Sequence, residues 1–313
     1  MLTMQRFFTE ICLGVEITAR ALRLGLLTGK GEAISLSSSK TTPLPAGMIN
    51  ETFASPNIKD YEGLVSILRS SLTDSTILSI RRAGLSLPDG IFRVQTLEFD
   101  ELPANNRDRD RLVRWRLEKG AAFDTANTLL RYQVLPRQDN GYSVLACVAK
   151  QEVISQYEDL LAGQNFEPWA VVPSSFNAMN FYAPYLAAKN IPGYALAWVA
   201  EGSYTTIIVE RGGPRFYRYK EIKAGAPEDV TGRLIRELED SIHFYLHMDR
   251  QQQSEVGHLY LSGEPALIAP LSESLKNDTS LKIETLVPAF VLAAGAEADS
   301  ALAAAFGAGG ALR

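Results

Sequence analysis

The chain opens on a run of alternating apolar and polar residues at 13–27. A period of two residues is typical of strands with one buried face, so this run predicts a β-hairpin. Residues 33–37 continue the alternation after the glycine-containing turn at 29–31 and predict a third strand. The same order returns in the second half, with predicted strands at 194–200, 204–210 and 214–220. The sequence therefore predicts two antiparallel three-stranded meanders.

Helical spacing of apolar residues follows each meander. Residues 56–72 predict a helix that begins at Ser55-Pro56, and a second helix is predicted from Pro227 onward. Two copies of βββ-helix-strand, roughly 180 residues apart, predict a duplicated two-lobed α/β fold. The remaining predicted elements are strands at 76–80, 256–261 and 281–286, a helix at 266–275 and an Ala-rich C-terminal helix.

The first copy carries an insertion. In chain order its predicted elements are a strand at 91–99, a charged helix from about 107 to 120, strands at 128–135 and 142–149, and a helix at 150–162. The turn at 139–141 contains Asn-Gly, which suits a type I′ hairpin. We therefore expect a small βαββα subdomain at 89–165, a first lobe of residues 1–88 and 166–192, and a second lobe of residues 193–313.

Composition and charge describe an ordinary globular protein. Of 313 residues, 46% are hydrophobic and 21% are charged, and the net charge is −5. This balance provides no overall positive field for nucleic acid or anionic lipid. Five arginines lie between 107 and 116, but interleaved acids offset them, which favours a solvated helix face over a nucleic-acid site.

Cysteine usage and hydropathy indicate a cytoplasmic protein. Cys12 and Cys147 lie in apolar, strand-like runs, where buried reduced thiols are expected. The N-terminal segment lacks the apolar core of a secretion signal, and no apolar run approaches the roughly 18–20 residues of a membrane span. A role at a membrane would therefore need a protein partner.

Several local runs give the chain a family resemblance. Residues 112–119, 122–123 and 130–135 resemble the inserted subdomain of PilM, the cytoplasmic actin-like protein of type IV pilus assembly. Residues 144–153, 157–163 and 303–313 are similar to later strands and helices of the same family. The cell-division protein FtsA and the cytoplasmic domain of type II secretion protein L are related. The resemblance implies a duplicated actin-like, ribonuclease H-like fold over nearly the whole chain.

Actin-like relatives bind ATP with Mg²⁺ between the lobes, through an Asp-x-Gly turn in each meander and a Gly-rich turn after a later strand. Glycine there permits close backbone approach to phosphate, and the carboxylate orients metal-bound water. The first turn of this chain departs from that pattern, because Glu16 and Thr18 stand in place of Asp and Gly. A longer acid and a branched side chain at these positions weaken a phosphate site.

The other two turns also depart from the pattern. The second turn offers Val199 in one register, or Glu201 and Gly202 in a shifted one. The third turn keeps Ser262 and Gly263, but Glu264 and Pro265 follow and bring negative charge while removing an N–H donor. Any nucleotide-binding residues would be Glu16, Thr18, Glu201, Gly202, Ser262 and Gly263. We expect a degenerate site, no resident cofactor and no catalytic residue.

The resemblance favours a scaffold, held at the inner membrane by the short N-terminal peptide of a PilN-like membrane protein. It implies a peptide groove between the first lobe and the insert, with Trp115 and Arg116 of the insert's arginine-rich helix as candidate contacts. Trp115 is equally well explained as an internal packing residue. Two alternatives stay open: an ATP-dependent assembly factor that uses Glu16 and Glu201 as metal-side acids, and a type II secretion scaffold of the same fold.

Other chemistry has weaker support in the sequence. His243 and His247 have the helical spacing of zinc ligands, but no glutamate stands where a metalloprotease needs one. The Ser174-Ser175 pair and Ser203 lack a paired base, so solvated or hydrogen-bonded hydroxyls are expected.

Overall fold

The computed structural model describes residues 12–30, 33–120, 123, 125–136, 141–210, 212–222, 227–248, 255–278, 281–293 and 298–310. The strands are β1 (Cys12–Ile17), β2 (Ala21–Lys30), β3 (Ala33–Pro43), β4 (Arg82–Leu87), β5 (Arg93–Phe99), β6 (Thr128–Pro136), β7 (Tyr142–Lys150), β8 (Glu167–Pro173), β9 (Gly193–Ala200), β10 (Ser203–Glu210), β11 (Gly213–Glu221), β12 (Val256–Gly263) and β13 (Lys282–Thr285). The helices are α1 (Tyr61–Ser71), α2 (Ser75–Leu78), α3 (Asn106–Gly120), α4 (Gln151–Ala162), α5 (Ser174–Ala188), α6 (Pro227–Met248), α7 (Pro265–Asp278) and α8 (Ala303–Gly310).

Two five-stranded sheets repeat one topology. The first has the strand order β3-β2-β1-β4-β8 and the second has the order β11-β10-β9-β12-β13. In each, three antiparallel strands form the predicted meander, and the first of them pairs in parallel with a later strand. The structure therefore confirms the duplicated two-lobed α/β fold.

The insert forms a separate three-stranded sheet, with β7 between β5 and β6. Its elements occur in the predicted order, β5, α3, β6, β7 and α4. Helix α3 covers this sheet with Val113 and Leu117, which pack among Phe99, Leu130 and neighbouring side chains. The five buried residues of α4 instead join the core of the first sheet. Residues 139 and 140 of the predicted type I′ turn, and Gly31 of the turn at 29–31, lie outside the described residues.

Helix α8 lies against the first sheet although it is last in the chain. A Cβ added to Gly14 in β1 would lie 1.7 Å from the carbonyl oxygen of Ala305, and one added to Gly84 in β4 would lie 1.9 Å from that of Ala308. Only glycine lets two backbones approach this closely. Gly14 and Gly84 therefore allow α8, which is itself Ala- and Gly-rich, to sit directly on β1 and β4.

Two local predictions around α1 are wrong. The helix predicted from Pro56 begins at Tyr61, because the Asp60 side chain accepts a hydrogen bond of 2.9 Å from the N–H of Gly63 and caps it there. The strand predicted at 76–80 is helix α2, whose first turn is capped by Asp74. The strand that enters the sheet is β4, a few residues later.

Candidate functional site

A cleft of about 210 Å³ lies between the two sheets. Five carboxylates line it: Glu16, Glu51, Asp89, Glu201 and Glu264. The guanidinium groups of Arg20 and Arg23 are the cations in the same lining. Acidic side chains therefore outnumber basic ones in this lining.

The tip of the first hairpin has no N–H group left for a phosphate. The N–H of Thr18 donates to the carbonyl of Ala21, and the Thr18 hydroxyl accepts from the N–H groups of Arg20 and Ala21. The N–H of Ala19 donates to the carboxylate of Glu51 over 2.5 Å. All four N–H groups of residues 18–21 are thus satisfied within the protein, and Thr18 takes part in three of these hydrogen bonds.

Glu16 is buried at the foot of that hairpin. It lies opposite Arg23 in the β1–β2 register, and its carboxylate accepts from the Arg23 guanidinium over 3.1 Å. The Ser174 hydroxyl donates to the second carboxylate oxygen over 2.7 Å. Burial raises the pKa of Glu16, against the opposing effects of Arg23 and Ser174. Glu16 is therefore tied to an arginine rather than presented to a metal ion.

The turn after β12 is also closed by internal contacts. Gly263 has φ +124°, and a Cβ there would lie 1.9 Å from the Val199 carbonyl oxygen. The N–H of Glu264 donates to that same oxygen over 2.9 Å. Pro265 begins α7 and has no N–H to give. Gly263 is thus required for close packing of β12 on β9, and this turn presents few donors to a ligand.

The second hairpin turns at Glu201 and Gly202, and Gly202 has φ +84°. Glu201 forms an exposed ion pair of 3.3 Å with Arg20 across the cleft. The β9 side chains that line the cleft are Trp198 and Ala200, whereas Val199 is fully buried in the core of the second lobe. The second metal-side acid of the implied site is therefore absent from this position.

Asp89 and Glu51 were not foreseen as cleft residues. Asp89 accepts from the N–H and hydroxyl of Ser175 and, over 2.7 Å, from the hydroxyl of Tyr217 in β11. Burial raises the pKa of Asp89, although these donors oppose the rise. The run Pro88-Asp89-Gly90 is typical of a turn and predicts no functional role, and nothing local in the sequence marks Glu51.

Of the six predicted nucleotide residues, Glu16, Thr18 and Glu201 line the cleft, whereas Gly202, Ser262 and Gly263 do not. The structure places Ser262 in β12 with its side chain fully buried. The amides of the first hairpin and the carboxylates of Glu16 and Glu264 are engaged in contacts within the protein.

The candidate peptide contacts lie elsewhere. Trp115 is 47% exposed on the outer face of α3, with the Lys119 ammonium 4.0 Å from its ring centroid. Arg116 beside it is also exposed. Neither residue lines the cleft. Trp115 is therefore not a core residue, since the packing of α3 is carried by Val113 and Leu117.

Within the described residues, no cluster of three or more His, Cys, Asp or Glu side chains is arranged to hold a metal ion. His243 and His247 are both exposed on α6. Cys12 is buried and Cys147 is partly buried, and neither forms a disulfide bond within the described residues. None of the described helices is long and apolar enough to cross a membrane.

Comparisons with known proteins identify the fold of this chain. No protein-family model matches the sequence, and no curated protein matches it. A structure of the PilM–PilN type IV pilus biogenesis complex is 18% identical over 95% of this chain and 97% of that chain, with a TM-score of 0.80. The cytoplasmic domain of EpsL, an inner membrane component of the Vibrio cholerae type II secretion system, is 13% identical over 97% and 95%, with a TM-score of 0.52.

A Bacteroides thetaiotaomicron protein of unknown function with an actin-like ATPase fold is 14% identical over 89% of this chain and 91% of that chain, with a TM-score of 0.51. These similarities extend over nearly complete chains on both sides. The chain therefore has the actin-like fold that its sequence resemblance to PilM implied.

Proposed function

We propose that this chain is a non-catalytic scaffold of a type IV pilus assembly platform. The observation that carries the proposal is the similarity, over nearly the whole of both chains, to the structure of the PilM–PilN complex. In this proposal the chain works on the cytoplasmic face of the inner membrane and binds the short N-terminal peptide of a PilN-like membrane protein. The peptide, rather than a membrane span of this chain, would hold it there.

The occupied donors of the cleft support a scaffold over an ATPase. The N–H groups of residues 18–21 are satisfied internally, and Glu16 is paired with Arg23. An ATPase needs amides and a carboxylate free to meet phosphate and Mg²⁺. Titration calorimetry with Mg-ATP should therefore show no binding at micromolar concentrations. Micromolar binding that Glu16→Ala abolishes would establish the ATP-dependent alternative instead.

The outer face of α3 is the proposed peptide contact. An exposed tryptophan beside cationic side chains is typical of residues that dominate binding energy at interfaces. The chain offers a matched control, because Trp169 on β8 is 49% exposed and has the Arg82 guanidinium 4.3 Å from its ring centroid. The two tryptophans are similarly exposed and each lies beside a cationic side chain, but they lie on different elements of the fold.

The test uses a fluorescent synthetic peptide, the cytoplasmic N-terminal segment of the PilN-like protein from the same cell. We expect Trp115→Ala to weaken binding in an anisotropy titration at least about tenfold. Arg116→Ala should weaken it less, and Trp169→Ala should leave it unchanged. Equal loss for both tryptophan variants, or none for Trp115→Ala, would move the peptide site away from α3. Failure of the wild-type chain to bind the peptide would refute the pilus assignment.

A type II secretion scaffold is the second candidate, supported by the fold similarity to EpsL. The two candidates differ in the membrane protein that is captured. A pull-down from detergent-solubilised membranes, with the partners identified by mass spectrometry, separates them. Recovery of a PilN-like protein supports the first candidate, and recovery of secretion-platform components without it supports the second.

A further inference from the structure

Arg23 joins the two lobes at the base of the cleft. Its guanidinium donates to Glu16 within the first sheet over 3.1 Å, and through its other terminal nitrogen to Glu264, which follows β12 of the second sheet. The Arg23 side chain is only 7% exposed and that of Glu264 is 29% exposed. One buried cation is thus shared by a carboxylate from each lobe.

The first-lobe half of this bridge is fixed in place. Glu16 and Arg23 are cross-strand neighbours in the β1–β2 hairpin, and the Ser174 hydroxyl holds the far oxygen of Glu16. The guanidinium is therefore oriented before it meets the second lobe. The second-lobe half is fixed as well, because Glu264 stands at the start of α7 and its N–H is bonded to Val199.

Other contacts that cross the cleft differ in burial. Asp89, which is buried, accepts a hydrogen bond from the hydroxyl of Tyr217 in β11, which is partly buried. Arg20 pairs with Glu201 at the mouth, where both side chains are more than half exposed. Exposed pairs contribute little, whereas breaking one side of a buried charge pair is costly. Of the ion pairs described between the lobes, Arg23–Glu264 is the most buried, and it lies at the cleft, away from the apolar core that the lobes share around Leu27, Trp198 and Phe306.

We propose that the Glu16–Arg23–Glu264 bridge is an internal lock that holds the two lobes closed in place of a bound nucleotide. Opening the cleft separates Arg23 from Glu264 but leaves Arg23 paired with Glu16. Substitution of Glu264 therefore tests the lock without disturbing the Glu16–Arg23 pair. The proposal concerns the lobe arrangement and does not depend on which partner the scaffold binds.

The test measures the distance between the lobes in the full chain by double electron–electron resonance. Spin labels are placed at Glu62→Cys in α1 and Lys276→Cys in α7, both exposed positions, in a Cys147→Ser background. We expect one narrow distance distribution without nucleotide, unchanged by Mg-ATP. Glu264→Lys places a cation against Arg23 and should lengthen and broaden the distribution. Glu201→Lys makes the same charge change at the mouth and should leave it as in the unsubstituted chain.

Glu264→Ala removes the acceptor without adding a charge. It serves as the second variant if circular dichroism shows that Glu264→Lys does not fold. It should also broaden the distribution. The lock is refuted if the folded Glu264 variants give the distribution of the unsubstituted chain. It is equally refuted if that chain is open without nucleotide and closes with Mg-ATP.

Discussion

Substituting Gly84 tests how closely α8 packs on the first sheet. In Gly84→Ala the new methyl would lie 1.9 Å from the carbonyl oxygen and 2.5 Å from the carbonyl carbon of Ala308. Ordinary van der Waals contact begins at 3.4 Å. Both obstacles are backbone atoms, so no side-chain rotation relieves the clash. Either α8 withdraws from β4 or the strand shifts within the sheet.

The expected loss of stability in Gly84→Ala follows from the backbone of α8 or β4 that must move. Overpacking a well-filled core by one methyl typically costs about 1–3 kcal/mol, and a rigid backbone obstacle puts Gly84→Ala at the upper end of that range. Gly257 in β12 provides the matched control, because it is also a strand glycine but a Cβ there meets no atom within 4 Å. Gly257→Ala should be neutral or slightly stabilising, since alanine restricts the unfolded chain.

Urea unfolding followed by tryptophan fluorescence, and thermal unfolding by calorimetry, measure the difference between the two variants. Hydrogen exchange adds a local readout, because amides of residues 303–310 should lose protection in Gly84→Ala before those of the second lobe. Equal stability of the two alanine variants would contradict the direct contact between α8 and β4. So would a destabilised Gly84→Ala in which α8 keeps its full protection.

Three further predictions concern charges and a helix cap. Arg23→Met leaves Glu16 buried without its cation and should lower the free energy of unfolding by about 3–5 kcal/mol. Adding Glu16→Gln should recover much of this loss. As the exposed control, Arg20→Met should lower the free energy of unfolding by less than about 1 kcal/mol. The raised native pKa of Asp89 means that the folded chain holds a proton that the unfolded chain releases, so this group lowers stability as pH rises from about 4 through its native pKa. Asp89→Asn should therefore flatten that decline in unfolding titrations at successive pH values, and an unchanged slope would contradict the assignment. Asp60→Ala removes the cap of α1 and should cost about 1 kcal/mol in the same assay.

The sequence predicted the meanders because each keeps a period of two over a hairpin that buries one face. It failed at β4, where Ala83, Gly84 and Leu85 are all buried. A central strand with both faces covered shows no alternation, and its glycine weakens the strand propensity. The β-branched residues of 76–80 favour a strand in the sequence. In the structure, however, Asp74 caps a short helix at these positions.

The candidate site was partly predictable, since Glu16, Thr18 and Glu201 do meet at one cleft. What the sequence could not provide were the partners from distant segments. Glu51 reaches Ala19 across 32 residues and Glu264 reaches Arg23 across 241. Such contacts depend on how the lobes assemble, and no local spacing encodes them. The nucleotide-binding role of the predicted residues, the peptide role of Trp115 and Arg116 and the boundaries of the three regions stay predictions.

The position of α8 has a consequence for synthesis of the chain. Strands β1 and β4 are among the first elements to leave the ribosome, yet the helix that covers them is the last. Until residue 310 has emerged, the apolar face around Gly14 and Gly84 lacks its natural cover. The first sheet therefore gains its α8 cover only after the strands of the second sheet have been synthesised, and its apolar face is open to non-native contacts during translation.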